Sequence, residues 1–392
     1  MTIALVSVIA AVAIFIVTTN LLFLSLPPSI PGDPSTLYNP ESATSQVPTE
    51  TEVPSDATQG NGASIATDDP PTPSPTIDEP VEPEAPSEPP QIIEPPDTVV
   101  TTALSEIDEL KMYALKKVND DRADFGLAPV ELSDNQAAQV HAEDVFMTQT
   151  ISHWMTNGEK PYMTYSRYGG LGDVAQNVSV QGYYQDDIVA CKAGLALCTP
   201  IDPRENIDIA EYGMMYDDAH SNWGHRDNIL DRNHTHVSFG IAYDDYYFAF
   251  VQNFENQYVE WIQPVTYDQD SRSVSMSGTL AEGVALAGIN ISYDPSPTPT
   301  TYEEHKNDEA YGLGELVAVV VEPPPPGAYY EDTEDHVLVI ADKWQIVNQG
   351  FALGFSTAEI YERYGDGVYT IVLWVNNGED IPTTSIAVFI DE

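Results

Sequence analysis

The 392-residue chain carries 62 Asp and Glu against 14 Lys and Arg, a formal net charge of −48, while 42% of its residues are hydrophobic. That charge repels nucleic-acid phosphates and excludes DNA or RNA as a partner, and the apolar share is enough for real cores. The length leaves room for two ordinary domains with additional segments.

Residues 3–26, IALVSVIAAVAIFIVTTNLLFLSL, form an uncharged apolar run of 24 residues. At about 1.5 Å per residue such a run spans a hydrocarbon core with some tilt, so it predicts a transmembrane anchor. A cleaved signal peptide is the rival, but it would show a shorter run, a basic start and a small-residue cleavage site. Lys111 is the first basic residue, so the usual orienting charges are missing near the run. Three N-x-S/T sequons, at Asn177, Asn233 and Asn290, favour placing the bulk of the chain outside the cell. The expectation is a single-pass protein of the cell membrane, displayed extracellularly.

Residues 27–103 are rich in Pro, Thr, Ser and acid; Pro27 to Val100 holds 18 of the 31 prolines, 14 acidic residues and no basic one. This composition cannot bury a core and favours extended conformations, which predicts a disordered stalk with a reach on the order of 200 Å.

Order is expected from residue 104. In EIDELKMYALKKVNDDRADFG, Ile107, Leu110, Tyr113, Ala114 and Val118 share one helical face, and Gly126 ends the helix. A second helix follows a cap candidate at Ser133 and would bury Ala137, Val140, Val145 and Phe146. A helix near 207–219 precedes strands HVSFGIAY and YYFAFVQNF, giving a compact α/β layer structure over residues 104–256.

From residue 257 the texture changes to short strand-like runs: SVSMSGTL, VALAGINISY, GELVAVVVE, HVLVIADKW, GVYTIVLWV and SIAVFID. Six such runs predict a β-sandwich over residues 257–392, with 302–310 and the prolines 323–326 as breaks. This region shows no catalytic motif and reads as a spacing or partner-binding module. The chain's two cysteines, Cys191 and Cys198, predict one small disulfide. Free thiols or a zinc pair are the alternatives, although no second Cys pair exists to complete a four-thiolate site.

Several motifs carry a family resemblance. They are Asn119-x-x-Arg122 in the first helix, ISHW around His153, AQNV at 175–178, WGHRDNIL at 223–230, and HVSFGIAY leading to FAFVQNF. Together they resemble the CAP superfamily of cysteine-rich secretory, antigen 5 and pathogenesis-related 1 proteins. The run GHRDNILDRNHTHVSFGIA looks most like its bacterial and archaeal SCP-like branch. The resemblance implies an α-β-α sandwich whose open cleft carries two histidines and two acidic residues. His153 matches the first histidine and His225 the second, while Gln176 stands where the family has glutamate. The second acid falls in the stretch YDDAHSNWGH, where Asp217 and Asp218 are the candidates and His220 could substitute.

In physical terms, two imidazoles and a carboxylate could ligate a divalent metal (Zn or Ca) or form a general acid/base pair. Gln176 keeps a carbonyl ligand but loses a charge, so metal affinity should fall. His141, His234, His236 and His336 read as structural. No phosphate loop, nucleophile elbow or Cys/His pair is present. The expected function is a surface binding module whose cleft meets a small molecule, lipid or partner protein. An extracellular metal-assisted hydrolase acting on peptides or wall polymers is the alternative.

Overall fold

The computed structural model describes residues 105–331 and 336–390, so the predicted anchor 3–26 and stalk 27–103 lie outside the described residues. No helix among the described residues is long and apolar enough to cross a membrane. The architecture is mixed α/β with several sheets.

Helix α1 (Glu106–Asp124) begins at a capping box in which Ser105 and Asp108 satisfy each other's backbone N–H. It buries Leu110, Ala114, Val118 and Arg122, and Gly126 ends it at φ +74°. β1 (Glu131–Leu132), α2 (Ala137–Thr148), α3 (Pro161–Arg167) and β2 (Asp173–Gly182) follow. Next come α4 (Gln185–Lys192), α5 (Pro203–Tyr216), α6 (Gly224–Leu230), β3 (His236–Tyr243) and β4 (Tyr247–Asn256).

The four strands form one sheet in the order β1-β3-β4-β2, with β4 buried along its whole length and β2 at an edge. Side chains alternate across a strand, so the sheet has two apolar faces. Phe248, Phe250 and Phe254 of β4 pack with α1, α5 and α6, while Ala249 and Val251 pack with Ala138, Ala142 and Val145 of α2. Each fully buried aromatic contributes roughly 1.5–3 kcal/mol. Gly240 of β3 is required by the close seat of α2, because a Cβ there would lie 1.8 Å from the Ala138 carbonyl oxygen.

Some local expectations are corrected. Ser133 is not the cap of α2: its Oγ accepts from the Asn135 N–H, and the Asn135 side chain accepts from Ala137 instead. The helix expected near 207–219 starts earlier, because Asp202 caps it and Pro203 occupies its first turn. Cys191 and Cys198 form a disulfide, with Cα atoms 5.7 Å apart. The sequon argument fails at Asn177, which is fully buried with its amide donating to Gln252 and to the His225 carbonyl.

The C-terminal region builds two further sheets. One has the order β10-β11-β6-β5, from β10 (Lys343–Val347), β11 (Gly350–Ser356), β6 (Ser273–Leu280) and β5 (Val259–Asp268). The other runs β13-β12-β7-β8-β9, with β14 on β12, from β7 (Ala285–Asp294), β8 (Glu315–Val321), β9 (Val337–Ile340), β12 (Gly367–Asn376), β13 (Asp380–Pro382) and β14 (Ile386–Ile390). One core joins Met276, Leu353 and Phe355 of the first sheet to Ile289, Val320, Ile371 and Leu373 of the second. The run HVLVIADKW is split between the sheets, since β9 ends at Ile340 and β10 starts at Lys343. The expected break at 302–310 contains part of helix α7 (Pro299–His305), capped by Thr298. A further helix, α8 (Ala358–Tyr364), follows β11.

The two regions share buried surface. Tyr162, Met163, Tyr165 and Val174 pack in one cluster with Val368 and Ala387. Lys160 and the Tyr162 hydroxyl both bond Asp294, at 2.8 and 2.5 Å, inside this junction. The free edge of β2 is covered there: Ser385 N–H donates to the Gly172 carbonyl at 3.1 Å, and Val174 N–H to Ser385 Oγ at 3.3 Å. Capping an edge strand removes a template for unwanted pairing.

Candidate histidine cleft

His153 lies in the connection between α2 and α3, and its Nδ1 sits 3.1 Å from Gln176 Oε1 on β2. Gln176 is itself fixed by two more bonds, its Nε2 donating to His141 Nδ1 and to Asn253 Oδ1, each at 3.0 Å. His141 is buried, and its Nε2 meets the Ser152 carbonyl oxygen at 2.9 Å, so that nitrogen carries the proton and Nδ1 accepts. The amide orientation follows, and with it the tautomer of His153: Nδ1–H donates to Gln176, which leaves the lone pair of the neutral ring on Nε2. Burial holds His141 down to about 4, which keeps it the neutral acceptor this chain of bonds needs.

His225 is positioned differently. Asp218 follows α5 as a fully buried carboxylate, and its Oδ1 accepts from His225 Nδ1 at 2.7 Å. Its Oδ2 accepts from the backbone N–H groups of His225 and Arg226, at 2.9 and 3.2 Å. Asn222 and Trp223, at φ +52° and +67°, fold the chain back so that the first turn of α6 faces this carboxylate. A left-handed tryptophan costs on the order of 1–3 kcal/mol, which the charge-assisted bonds to Asp218 offset. Asn177 supports the same turn, donating to the His225 carbonyl oxygen at 3.0 Å and accepting from Asn228 at 2.8 Å.

The two supports leave β2 on opposite sides. Gln176 pairs with Asn253 and Asn177 with Gln252 in the β2–β4 ladder, so consecutive pairs point to opposite faces. The imidazoles still come close enough for the charge of His225 to oppose that of His153. His153 is held below its ordinary value, chiefly by burial, against the pull of Gln176 and of the Glu309 backbone.

Glu309 belongs to the C-terminal region, and so does Tyr311, whose ring centroid is 5.1 Å from that of His153. The backbone of Gln176 lies against the Tyr311 hydroxyl, which burial keeps protonated. His305, at the end of α7, stacks on Trp154 at 5.3 Å. The implied open cleft is therefore roofed on the His153 side by residues 305–311, while His225 is 22% exposed.

Of the two neighbouring acids, Asp218 reaches the site and Asp217 is exposed at the end of α5; His220 is exposed in a 3₁₀ turn. Sequence reading did not anticipate Tyr311, Glu309 or the linking role of His141, since each lies far along the chain from its partner. Asn119 and Arg122 are structural: Asn119 pairs both backbone groups of Val130, and Arg122 donates to the Ala128, Ile229 and Asp231 carbonyls.

As a metal site the residues fit only in part. Both Asp218 oxygens are committed to His225 and Arg226, and Gln176 is committed to three side chains. Among the described residues no group of three His, Cys, Asp or Glu is arranged to hold a metal ion. The metal reading is left with the Nε2 atom of each imidazole, and His153 lies under the roof of residues 305–311.

Residues 115–254 match the family model for CAP, the cysteine-rich secretory protein family, and this stretch of the chain is a CAP domain. An extracellular protein containing an SCP domain from Bacillus anthracis str. Ames is 16% identical, over 40% of this chain and 45% of that one, with a TM-score of 0.25. The CAP domain of Enterococcal PrgA is 18% identical, over 39% of this chain and 63% of that one, with a TM-score of 0.26. The chain thus spans less than two thirds of either structure. No curated protein matches it.

Proposed function

We propose that the protein is a surface-displayed binding module that receives a small molecule, lipid or partner-protein group at the His153–His225 cleft. The observation that carries this reading is the fixing of both rings through Nδ1, by Gln176 and by Asp218. A ring held this way turns its Nε2 outward from its support, and that atom carries a lone pair when the ring is neutral. A divalent cation entering here would have two protein ligands and would complete its shell with water or with groups of the bound molecule. In this proposal residues 3–26 anchor the chain in the cell membrane and 27–103 carry the module away from it. The apolar run and the Cys191–Cys198 disulfide support that placement.

Zn²⁺, then Ca²⁺, titrated calorimetrically into the purified protein and its His225→Ala variant tests the reading. Saturable one-site binding lost in the variant is the expected result. Equal, weak, multi-site heat in both proteins would mean that surface carboxylates bind the cation and that the cleft does not. The metal-assisted hydrolase stands as a second reading, because a neutral, buried imidazole such as His153 is a competent base near neutral pH. Turnover of a peptide or wall-polymer panel that survives His153→Ala and His225→Ala would remove it.

A further inference from the structure

Away from the histidines, a cavity of ≈ 360 Å³ opens where the two regions meet. Its wall includes Asp134 and Asn135 before α2, the segment Tyr168–Gly172, Glu255 at the end of β4, and Trp261 of β5. Glycines 170 and 172 let this segment lie flat on Tyr165, since a Cβ at Gly170 would meet the Tyr165 ring at 2.4 Å.

Glu255 is the unusual member. Its side chain is fully buried, and Oε2 accepts from the Tyr165 hydroxyl at 2.8 Å and from Gln257 Nε2 at 2.6 Å. Oε1 is buried and has no hydrogen-bond partner. Among the described residues no Lys, Arg or His pairs with Glu255, and none lines the cavity. Burial and the neighbouring Glu255 keep the Tyr165 hydroxyl protonated, so Tyr165 is the donor and Glu255 the acceptor in that bond. A buried oxygen left without a donor costs on the order of 1–3 kcal/mol, and a ligand that brings the donor recovers it. Asp134 is exposed at the mouth, and the rings of Tyr168 and Trp261 supply faces that attract a cation.

We propose that this cavity is a binding site for an alkylammonium group, a primary amine on a short aliphatic chain, such as a free amine or a lysine side chain. Oε1 has almost no open surface, so the ammonium reaches it when the exposed Gln257 side chain, which donates to Oε2, swings aside. The aliphatic part lies along Val259 and Trp261. A primary ammonium suits the position better than a guanidinium, because only one carboxyl oxygen is available and a fork would find the other occupied. The excess of acid over base in the whole chain raises the local concentration of such cations.

The test titrates n-pentylamine into the purified protein at pH 7 and about 150 mM NaCl, where diffuse surface attraction is screened. Heat and fluorescence, the latter including Trp261, report binding. Expected are one saturable site, at least tenfold weaker binding in Glu255→Gln, and two- to threefold weaker binding in Asp134→Asn. Glu255→Gln can keep its carbonyl for Tyr165 and Gln257 while turning an N–H₂ toward the cavity, and a thermal melt checks that it folds. Neutral n-pentanol serves as the charge control and is expected to bind at least tenfold more weakly. Equal binding of pentanol, unchanged affinity in Glu255→Gln, or the absence of saturation would each overturn the proposal. If Glu255→Gln does not fold, the pentanol comparison and Asp134→Asn still decide it.

Discussion

His153 and His225 both offer Nδ1 to an oxygen, but one acceptor is a neutral amide within a sheet and the other a carboxylate within a turn. The difference follows from what each acceptor must satisfy. Asp218 faces only donors, three N–H groups, so a group that accepts and carries charge is the best partner. Gln176 faces a donor on one side and two acceptors, His141 Nδ1 and Asn253 Oδ1, on the other. Only an amide can serve both. Glutamine at this position therefore has a structural partner set of its own, and is more than a glutamate without its charge.

The largest expected effect falls on the charged arm. Asp218→Ala leaves three N–H groups facing a cavity and releases the positive-φ turn at Asn222–Trp223. A loss of about 3–4 kcal/mol in urea denaturation is expected, with Asp218→Asn losing roughly half as much. A loss below about 1 kcal/mol for the alanine variant would show that the turn holds itself.

The amide arm gives the next largest effect and the clearest contrast. Gln176→Glu substitutes an acceptor for a donor opposite His141 and Asn253, so it should destabilise by about 2–3 kcal/mol at pH 8. A glutamate variant as stable as wild type at pH 8 would break the assignment of tautomers proposed for this arm.

Much of this was legible in the sequence, and the missing parts have physical causes. The apolar periodicity of α1 and the strand runs HVSFGIAY and YYFAFVQNF are local, and the structure follows them. β5 was hidden because Pro264 and several polar side chains sit in it; it is an edge strand, where a proline is tolerated, and its pairing shifts register on both sides of Gln263. β11 was hidden by glycines at positions 350 and 354, although its burial alternates. The choice between Asp217 and Asp218 depended on where α5 stops and on two positive-φ residues, which spacing alone does not reveal. The roof over His153 comes from a loop more than 150 positions downstream, between α7 and β8, and no local pattern marks it.

A smaller, pH-dependent effect separates what lies beneath the arms. The His225 turn connects through Asn177 and Gln252 to Glu211, whose buried carboxyl accepts from Gln252 at 2.7 Å. Burial pushes Glu211 up to about 8 from an ordinary 4.5. The folded state therefore binds the proton more tightly than the unfolded chain does. Stability from this group is present below the ordinary value and is lost as pH rises toward 8. Between pH 6 and pH 9 the wild type should lose on the order of 2 kcal/mol that Glu211→Gln does not lose. Urea midpoints of the two proteins at both pH values measure it, and parallel curves would show that Glu211 is ionised throughout.

The smallest effect tests whether the C-terminal roof belongs to the amide arm. Burial is the main reason His153 lies below 6.5, and Tyr311 is part of what buries it. Tyr311→Ala should let water reach the ring and move its titration upward, toward the ordinary value. Tyr311→Phe keeps the ring in place and should leave His153 nearly unchanged. His225 keeps its Asp218 support in both variants, so its bond to that carboxylate should be unchanged. Proton NMR of the His153 imidazole follows its titration in the wild type and in each variant. If His153 does not move in Tyr311→Ala, the ring of Tyr311 is not what keeps water from it, and the roof of residues 305–311 does not belong to the amide arm.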